Sequence, residues 1–302
     1  MLVPSKELVQ DAKAGGYAVG AFNAVNMETA QAIFAAAERE NSPLIIQVTQ
    51  TTMAYTEPED VAAVIFNLAE RSSIPVAVHL DHGRSFGVIM RFLKMGFSSV
   101  MIDGSLQEDG KTPRTYEENV AVTKQVIEAA HSLGVSVEAE IGRLGQIGQD
   151  SGVALTDPDE AAKFVEDIKF DGKTVDMLAV AIGTRHGLFK GKPIIRSDRV
   201  KELADKLDMP LVMHGGTGVP DEDVQKGIEA GICKVNIDTQ IRVAFYDRLL
   251  EVVTEKEKEY AEADAAGEPR KYDIRKIIAP TRDAMTDAIA EKMRLFGSAG
   301  KA

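Results

Sequence analysis

Short apolar runs alternate along the chain with longer segments in which hydrophobic residues recur at helical spacing. The apolar runs predict strands at residues 17–22, 44–49, 75–80, 99–102, 135–140, 176–182, 210–214 and 234–237. Amphipathic helices are predicted between them, at residues 27–40, 58–72, 85–96, 116–134, 157–169, 197–208 and 221–231. This alternation predicts βα units and a parallel sheet.

Eight βα units in one chain favour an α/β fold of the (β/α)8 TIM barrel type. A doubly wound open sheet is the alternative, but it would place its ligand at one switch point, whereas polar residues here follow several different strands. No linker rich in Pro, Gly or Ser divides the chain, so we expect a single domain over residues 1–302. The charged segment 250–271 and the apolar positions after it predict a C-terminal helical extension from about residue 250.

Composition limits the partners that this chain can have. The formal net charge of −12 and the lack of a basic cluster argue against nucleic-acid and membrane partners. The single cysteine, Cys233, excludes an internal disulfide framework, and its place beside an apolar run predicts a buried structural thiol. The N-terminal residues lack the pattern of a signal peptide, and no apolar run approaches the ~20 residues of a membrane span. We therefore expect a cytoplasmic protein.

Four of the five histidines lie at or just past the ends of predicted strands three, six and seven: His79, His82, His186 and His214. The carboxyl ends of barrel strands meet at one rim, where barrel active sites are built. Any one such histidine is more often a structural residue, but three at this rim are typical of a catalytic zinc site. We therefore predict His82, His186 and His214 as zinc ligands, with His79 as a supporting residue.

Carboxylates accompany these histidines. Asp81 stands directly before His82, and Glu138 and Glu140 alternate on the fifth predicted strand, so both face the same side. Two carboxylates inside a barrel are costly unless they are paired or lie near a cation. Glu140, which is nearer the rim, is predicted either as a second metal ligand or as a partner of one, which leaves a second metal site open.

Glycine-rich segments follow the sixth and seventh predicted strands, as "GTRHGLFKGKP" and "HGGTGVP". Barrels commonly bind phosphate near this position through backbone N–H groups and a helix N-terminus. Thr217 and Thr239 could add hydroxyl donors, and Lys190 a positive charge. A metal beside a phosphate, with Asp81 to move a proton, favours retro-aldol cleavage of a ketose phosphate, in which the metal would polarise the carbonyl group.

The sequence closely resembles the class II, zinc-dependent fructose-bisphosphate aldolases and their tagatose-bisphosphate relatives. The resemblance runs nearly end to end, through "YAVGAFN", "VAVHLDHG", "SVMIDGS", "VSVEAEIGRLG", "AVAIGTRHG", "LVMHGGTG", "KVNIDT", "YDIRK" and "RLFGSAGKA". It implies that His82, His186 and His214 hold the zinc and that Asp81 is the acid/base at the C4 hydroxyl. Family members are dimers or tetramers, often with a monovalent cation near the phosphate.

The same resemblance implies the substrate contacts. The phosphate of the dihydroxyacetone half would be bound by Gly187, Lys190, Gly215, Thr217, Asn236 and Thr239. The substrate would be lined by Asn23, Thr49 and Asp238, and the second phosphate would meet Arg242 or Arg275.

Three positions bear on how far the resemblance extends. The family usually carries a glutamate in the loop after the fifth strand, where this chain reads "GQIGQDSG" at residues 145–152, and Asp150 is the candidate replacement. Arg185 stands where a small residue is usual, and could bind another anionic group or pair with a nearby acid. Asp238 favours fructose 1,6-bisphosphate over the tagatose isomer.

Other functions stay open. One is an aldolase for another ketose phosphate, such as tagatose 1,6-bisphosphate or a phosphorylated keto-deoxy sugar acid. A metal-dependent hydrolase and a catalytically impaired aldolase fold are further alternatives. A Schiff-base aldolase would need a lysine inside the barrel. The sixth predicted strand has none, and Lys234 is expected near the end of the barrel far from the rim.

Overall fold

A computed structural model describes residues 1–142, 155–185, 187 and 195–302 of the chain. Its strands form a closed parallel barrel in which neighbours follow sequence order. The strands are β1 (Val19–Asn23), β2 (Leu44–Thr49), β3 (Val76–Gly83), β4 (Ser99–Ile102), β5 (Ser136–Ile141), β6 (Met177–Val180), β7 (Leu211–Met213) and β8 (Ile232–Ile237). The predicted TIM barrel is confirmed, and each predicted strand is present with some ends displaced by one to three residues.

Helices pack around the barrel and at its ends. They are α1 (Ser5–Gly15), α2 (Met27–Glu40), α3 (Pro58–Arg71), α4 (Phe86–Met95), α5 (Tyr116–Ser132), α6 (Pro158–Asp167), α7 (Ser197–Leu207), α8 (Asp221–Ala230), α9 (Thr239–Ala266) and α10 (Arg275–Leu295). A 3-10 helix, Gln50–Ala54, follows β2. Local capping sets several starts. In α2, the Asn26 side chain accepts from the backbone N–H of Thr29, and the Thr29 hydroxyl accepts from the backbone N–H of Asn26.

Helix α1 was not predicted from the sequence. Its apolar residues Leu8, Val9 and Ala12 are buried in one cluster with inward-facing strand residues such as Ile45 and Ala77. The helix therefore closes the amino end of the barrel, opposite the rim where the predicted site lies.

The strands alternate between two environments. Val76, Val78 and Leu80 of β3 point outward into the apolar layer beneath the helices. The intervening residues point into the barrel, and along β3 these change from Ala77 to His79 and then Asp81. The interior is thus apolar near α1 and becomes polar toward the carboxyl ends of the strands, which is where a site can be built.

The C-terminal helices begin earlier than predicted. Helix α9 starts at Thr239, directly after β8, and continues without a break to Ala266, within the charged segment 250–271. Helix α10 contains Pro280 and packs against α2 and α9. Within the described parts of the chain, none of the helices is both long and apolar enough to cross a lipid bilayer.

Cys233 lies at the second position of β8 and is 2% exposed. Burial raises the pKa of its thiol to about 11. The prediction of a buried structural cysteine is confirmed.

Candidate active site

Asp81 and His82 both reach the rim because the end of β3 is irregular. In a regular strand, adjacent side chains point to opposite faces. Here the register with β4 shifts between Leu80 and Gly83, and His82 takes the left-handed conformation with φ of 53°. Non-glycine residues seldom adopt such a φ, and those that do cluster at functional sites. As a result, His82 Nε2 lies 3.8 Å from Asp81 Oδ1.

The imidazoles of His82 and His214 meet across the rim. His82 Nε2 and His214 Nδ1 are 3.0 Å apart, and the rings are arranged edge to face. Asp81, His82 and His214 each offer a ligand atom within 4.8 Å of the others. Imidazole nitrogens are typical zinc ligands, so His82 and His214 fit the predicted metal, with the Asp81 carboxylate beside them.

Two carboxylates that could also bind a metal, those of Asp103 and Glu140, lie near the other ring nitrogen of His82. His82 Nδ1 lies 3.2 Å from Asp103 Oδ2, just after β4, and 4.0 Å from Glu140 Oε2 on β5. The buried Glu140 Oε2 has no hydrogen-bond partner in the described structure. Burial and the neighbouring Asp103 raise the pKa of Glu140 to about 8. A buried carboxylate oxygen without a partner, beside another acid, fits a cation.

The protonation equilibria of these groups depend on one another. Burial would lower the pKa of His82, but Asp81 and Asp103 raise it to about 10. Burial would raise the pKa of Asp103, but His82 lowers it to about 2. Burial opposes ionisation of Asp81 as well, yet His82 and His214 lower its pKa overall. The two aspartates are therefore anions at neutral pH, and the site suits a positive charge.

Neutral donors hold both oxygens of Asp81. Asn23 Nδ2, at the end of β1, donates to Asp81 Oδ2 over 3.0 Å, and Asn236 Nδ2 on β8 donates to Oδ1 over 3.3 Å. Gln47 Nε2 donates to Asn23 Oδ1 over 2.7 Å and so orients that amide. Thr49, predicted to line the substrate, pairs in register with Asp81 across β2 and β3. These contacts fix the direction of the carboxylate.

Beneath the rim, an ion pair spans the barrel interior. Lys234 Nζ donates to Glu138 Oε2 over 2.8 Å, and Glu138 Oε1 lies 2.8 Å from His214 Nε2. The expectation that Glu138 would need a partner is thus confirmed. The expectation that Lys234 would lie away from the site is wrong. Strand β8 begins at residue 232 rather than 234, so Lys234 lies inside the strand and its side chain points inward.

His79 lies in this deeper layer. Its Nδ1 is 2.7 Å from Ser99 Oγ, and its Nε2 is 3.5 Å from Glu138 Oε2. Burial and the charge of Lys234 hold the pKa of His79 well below its usual value, so the ring is neutral. His79 thus contacts Glu138 rather than a predicted zinc ligand, and its supporting role stays a prediction.

The glycine-rich loop after β7 packs against the start of α9. Gly215 has φ of 65°, and a Cβ there would come within 2.2 Å of the Arg185 carbonyl oxygen, so only glycine fits. Thr217 is buried, and its Oγ1 accepts from the backbone N–H of Gln240 over 3.3 Å. The structure thus brings Gly215, Thr217 and Thr239 together near a helix N-terminus, while anion binding there stays a prediction.

The two arginines expected at the second phosphate are engaged locally. Arg242 Nε donates to Asp238 Oδ1 over 2.8 Å, and Arg275 Nε donates to Asp273 Oδ1 over 2.9 Å. The Arg242 and Arg275 side chains are 57% and 86% exposed. Burial raises the pKa of Asp238, while Arg242 acts against that rise.

A family model described as Fructose-bisphosphate aldolase class-II matches residues 3–301. The chain belongs to this family. A fructose-bisphosphate aldolase of Geobacillus stearothermophilus is 42% identical over 307 residues, covering 100% of this chain and 99% of the relative. A sulfofructosephosphate aldolase of Alkalicoccus urumqiensis is 40% identical over 305 residues, covering 99% and 98%. Among solved structures, the YdjI aldolase from Escherichia coli K12 is 32% identical with a TM-score of 0.83, covering 100% of both chains.

Membership in the class II aldolases confirms the resemblance and makes the protein a lyase. Three of the predicted site residues, His186, Lys190 and Asp150, lie outside the described residues. Their roles in zinc binding, phosphate binding and proton exchange stay predictions. Gly187 is described and has φ of 87°. Among the described residues, the half-buried Arg185 side chain has no hydrogen-bond or ion-pair partner.

Three residues of this aldolase site were not predicted from the sequence: Asp103, Gln47 and Lys234. Asp103 directly follows the predicted strand 99–102, which is the same signal that identified Asp81. Gln47 is a polar residue at an inward position of an otherwise apolar strand. To place Lys234 in the site, the start of β8 must be known, and the apolar pattern does not define it.

Proposed function

We propose that the protein is a zinc-dependent aldolase that cleaves fructose 1,6-bisphosphate to dihydroxyacetone phosphate and glyceraldehyde 3-phosphate and also condenses the two products. The observation that carries this proposal is the convergence of His82, His214 and Asp81 within 4.8 Å at the barrel rim. Family membership over residues 3–301 supports the reaction class.

The zinc would be held by His82, His214 and His186. When bound, it would supply Lewis-acid polarisation of the substrate carbonyl. Asp103 and Glu140 offer ligands for a second cation beside His82. A monovalent cation would lie near the phosphate, as the family resemblance implies.

Asp81 is the residue that we assign to proton transfer. Its carboxylate is buried, yet ionised and held on both oxygens by Asn23 and Asn236. In cleavage, it would accept the proton of the C4 hydroxyl as the C3–C4 bond breaks, and in condensation it would return that proton. Because both amides donate to the anion, they orient the carboxylate for proton transfer without themselves carrying charge.

The substrate's dihydroxyacetone phosphate would bind along the loop after β7 and the start of α9. Gly215, Thr217 and Thr239 lie there, and the helix N-terminus supplies backbone N–H groups and a favourable dipole. Asn23, Thr49 and Asp238 would line the carbon chain of the sugar.

A second candidate is a ketose phosphate that carries a different anion at its far end. The observation that favours it is the half-buried Arg185, whose guanidinium pairs with none of the described residues. A relative at 40% identity is named a sulfofructosephosphate aldolase. Arginine recognises planar or tetrahedral oxyanions through paired N–H donors, so a sulfonate would suit it.

Parallel assays separate these candidates. The enzyme would be given fructose 1,6-bisphosphate, tagatose 1,6-bisphosphate and sulfofructosephosphate, and kcat/KM measured for each. We expect the fructose substrate to be preferred. A preference for sulfofructosephosphate would contradict the first candidate and support the second. Inactivation by borohydride in the presence of substrate would instead indicate a Schiff base, which Lys234 could form.

We also propose that the protein forms a homodimer or homotetramer. Tyr246, Leu250 and Val253 lie at i, i+4 and i+7 on one face of α9 and are 60%, 52% and 40% exposed. Such a continuous apolar stripe is typical of a helix that packs on another chain. Sedimentation equilibrium tests this, and a monomer at micromolar concentration would contradict it.

A further inference from the structure

We propose that Glu138 and Lys234 are positioning residues that fix the ring of His214 so that its Nδ1 faces the metal. This inference rests on the proposed zinc site, but it does not depend on which sugar is the substrate. Neither residue touches the predicted ligand atoms of the site directly. They act from the layer below the rim, where Glu138, Lys234 and His214 are each at most 1% exposed.

The contact between Glu138 and His214 decides where the imidazole carries its proton. An ionised carboxylate can only accept hydrogen bonds. Because Glu138 Oε1 lies 2.8 Å from His214 Nε2, the proton is on Nε2. The lone pair is then on Nδ1, the nitrogen that lies 3.0 Å from His82 Nε2. A carboxylate behind a histidine in this manner sets its tautomer and ring orientation and increases its strength as a ligand.

Lys234 stabilises the ionised carboxylate of Glu138, which the hydrogen bond from His214 Nε2 requires. A carboxylate without a countercharge is unfavourable in the interior of a barrel. Lys234 Nζ supplies that charge at 2.8 Å from Glu138 Oε2, leaving Oε1 for His214. The pair joins β5 to β8, so it also connects two strands across the barrel.

The same lysine connects the metal side of the site to Asp81. Lys234 Nζ donates to Asn236 Oδ1 over 2.8 Å, which directs the amide nitrogen of Asn236 toward Asp81 Oδ1. Asn236 Nδ2 also lies 3.3 Å from His214 Nε2, but both atoms carry protons, so this contact is not a hydrogen bond. One buried ammonium group therefore orients one predicted ligand and the predicted acid/base.

Zinc affinity and metal geometry test this inference without any sugar. We would measure zinc dissociation by competition with a chelator, and the visible absorption of the Co²⁺-substituted protein, for the parent and Glu138→Gln. Loss of such a partner typically weakens metal binding by about 10–100-fold. We expect a weakening of that size and an altered cobalt spectrum, because the single amide oxygen would accept from Lys234 and leave the amide NH2, a donor, facing His214 Nε2.

Asp176→Asn is the matched control. Asp176 is also buried and paired with a histidine and a lysine, His131 and Lys6, but it lies before β6 at the amino end of the barrel. Its loss should lower stability while leaving zinc affinity and the cobalt spectrum unchanged. If Glu138→Gln does not fold, the double variant Glu138→Gln/Lys234→Met removes both buried charges together and is measured instead.

The outcomes are distinct. Parent-like zinc affinity and a parent-like cobalt spectrum in a folded Glu138 variant would overturn the inference and leave the proposed function standing. A parent protein that binds no zinc would instead contradict the proposed function. Equal weakening in Asp176→Asn would show that general destabilisation is responsible, which would also overturn the positioning role.

Discussion

Nε2 of His82 lies 3.0 Å from Nδ1 of His214, although 132 positions separate the two residues in the chain. His82 lies in the irregular end of β3 and His214 follows β7, so it is the closed barrel that brings them together. If these nitrogens share a zinc ion, His214→Ala should lose bound metal and aldolase activity together. Atomic emission on the purified protein measures the first and a cleavage assay the second.

His131→Ala is a suitable control for that experiment because His131 lies on α5 and pairs with Asp176. It should keep both zinc and activity. Stoichiometric zinc in an active His214→Ala protein would remove His214 from the ligand set.

Asp81→Ala should keep the metal but lose most of the rate. A positioned proton-transfer group typically contributes about 10²–10⁴-fold, so kcat for cleavage should fall by that factor. Asn23→Ala, which removes one of the amides that hold Asp81, should cause a smaller loss. Steady-state kinetics with zinc analysis on the same samples checks both. A parent-like kcat in Asp81→Ala would show that another group moves the proton.

Gly215→Ala should damage the enzyme far more than a chemically identical change elsewhere. Gly215 and Gly267 both have positive φ, but only at Gly215 would the new methyl group meet backbone, 2.2 Å from the Arg185 carbonyl oxygen. At Gly267 no atom of the described residues would lie within 4 Å of the new methyl group. We expect Gly267→Ala to cost about 1 kcal/mol of unfolding free energy from backbone strain alone. Gly215→Ala should cost more and should also reduce activity.

Urea unfolding and a cleavage assay on the two glycine variants give the comparison. Equal losses of stability, with activity retained in both, would mean that the close approach between the loop after β7 and Arg185 is not rigid.

The region before β6 should give a pH-dependent contribution to stability. Burial would raise the pKa of Asp176, but hydrogen bonds from His131, from the backbone N–H of Val137 and from Lys6 lower it overall. A lowered carboxyl pKa stabilises the fold above the unfolded-state value of about 3.9, and this contribution is lost as the pH falls through the folded value. Asp176→Asn should therefore lower the unfolding free energy at pH 7 by about 1–3 kcal/mol.

The difference between parent and Asp176→Asn should begin to shrink below pH of about 3.9, where the unfolded carboxyl becomes protonated, and should shrink further as the pH falls through the lower folded-state pKa. Asp208→Asn is the control, since the Asp208 side chain is 98% exposed and, among the described residues, pairs only with Lys13 at the surface, which is worth at most about 1 kcal/mol. A deficit in Asp176→Asn that is the same at pH 7 and at pH 3.5 would contradict the assignment.

The barrel could be predicted from the sequence because each strand is a short apolar run bounded by turn residues, and because strands and helices alternate. The ends of the strands are harder to predict, because the first and last residues of a strand depend on pairing with its neighbours rather than on composition. The predicted start of β8 is two residues too late, and for this reason Lys234 was expected away from the site. Helix α1 was not predicted, because its few apolar residues, Leu8, Val9 and Ala12, lie among charged and polar ones, and only the folded barrel shows that they pack on inward-facing strand residues.

The site could be predicted in part. His82, His214 and Asp81 were found because each ends a strand, and the rim collects such residues. The simple alternation of side chains would have placed Asp81 and His82 on opposite faces, and the bulge that turns both to the rim has no signal in residue types alone. Contacts such as Gln47 with Asn23 join different strands, so they follow only from the register of the barrel.

The decisive measurement for zinc-dependent aldolase activity is cleavage of fructose 1,6-bisphosphate by the purified enzyme, first after removal of metal by a chelator and then after addition of zinc. We expect cleavage that disappears with the metal and returns with zinc. Cleavage that persists in the metal-free protein, or its absence when zinc is bound, would contradict it.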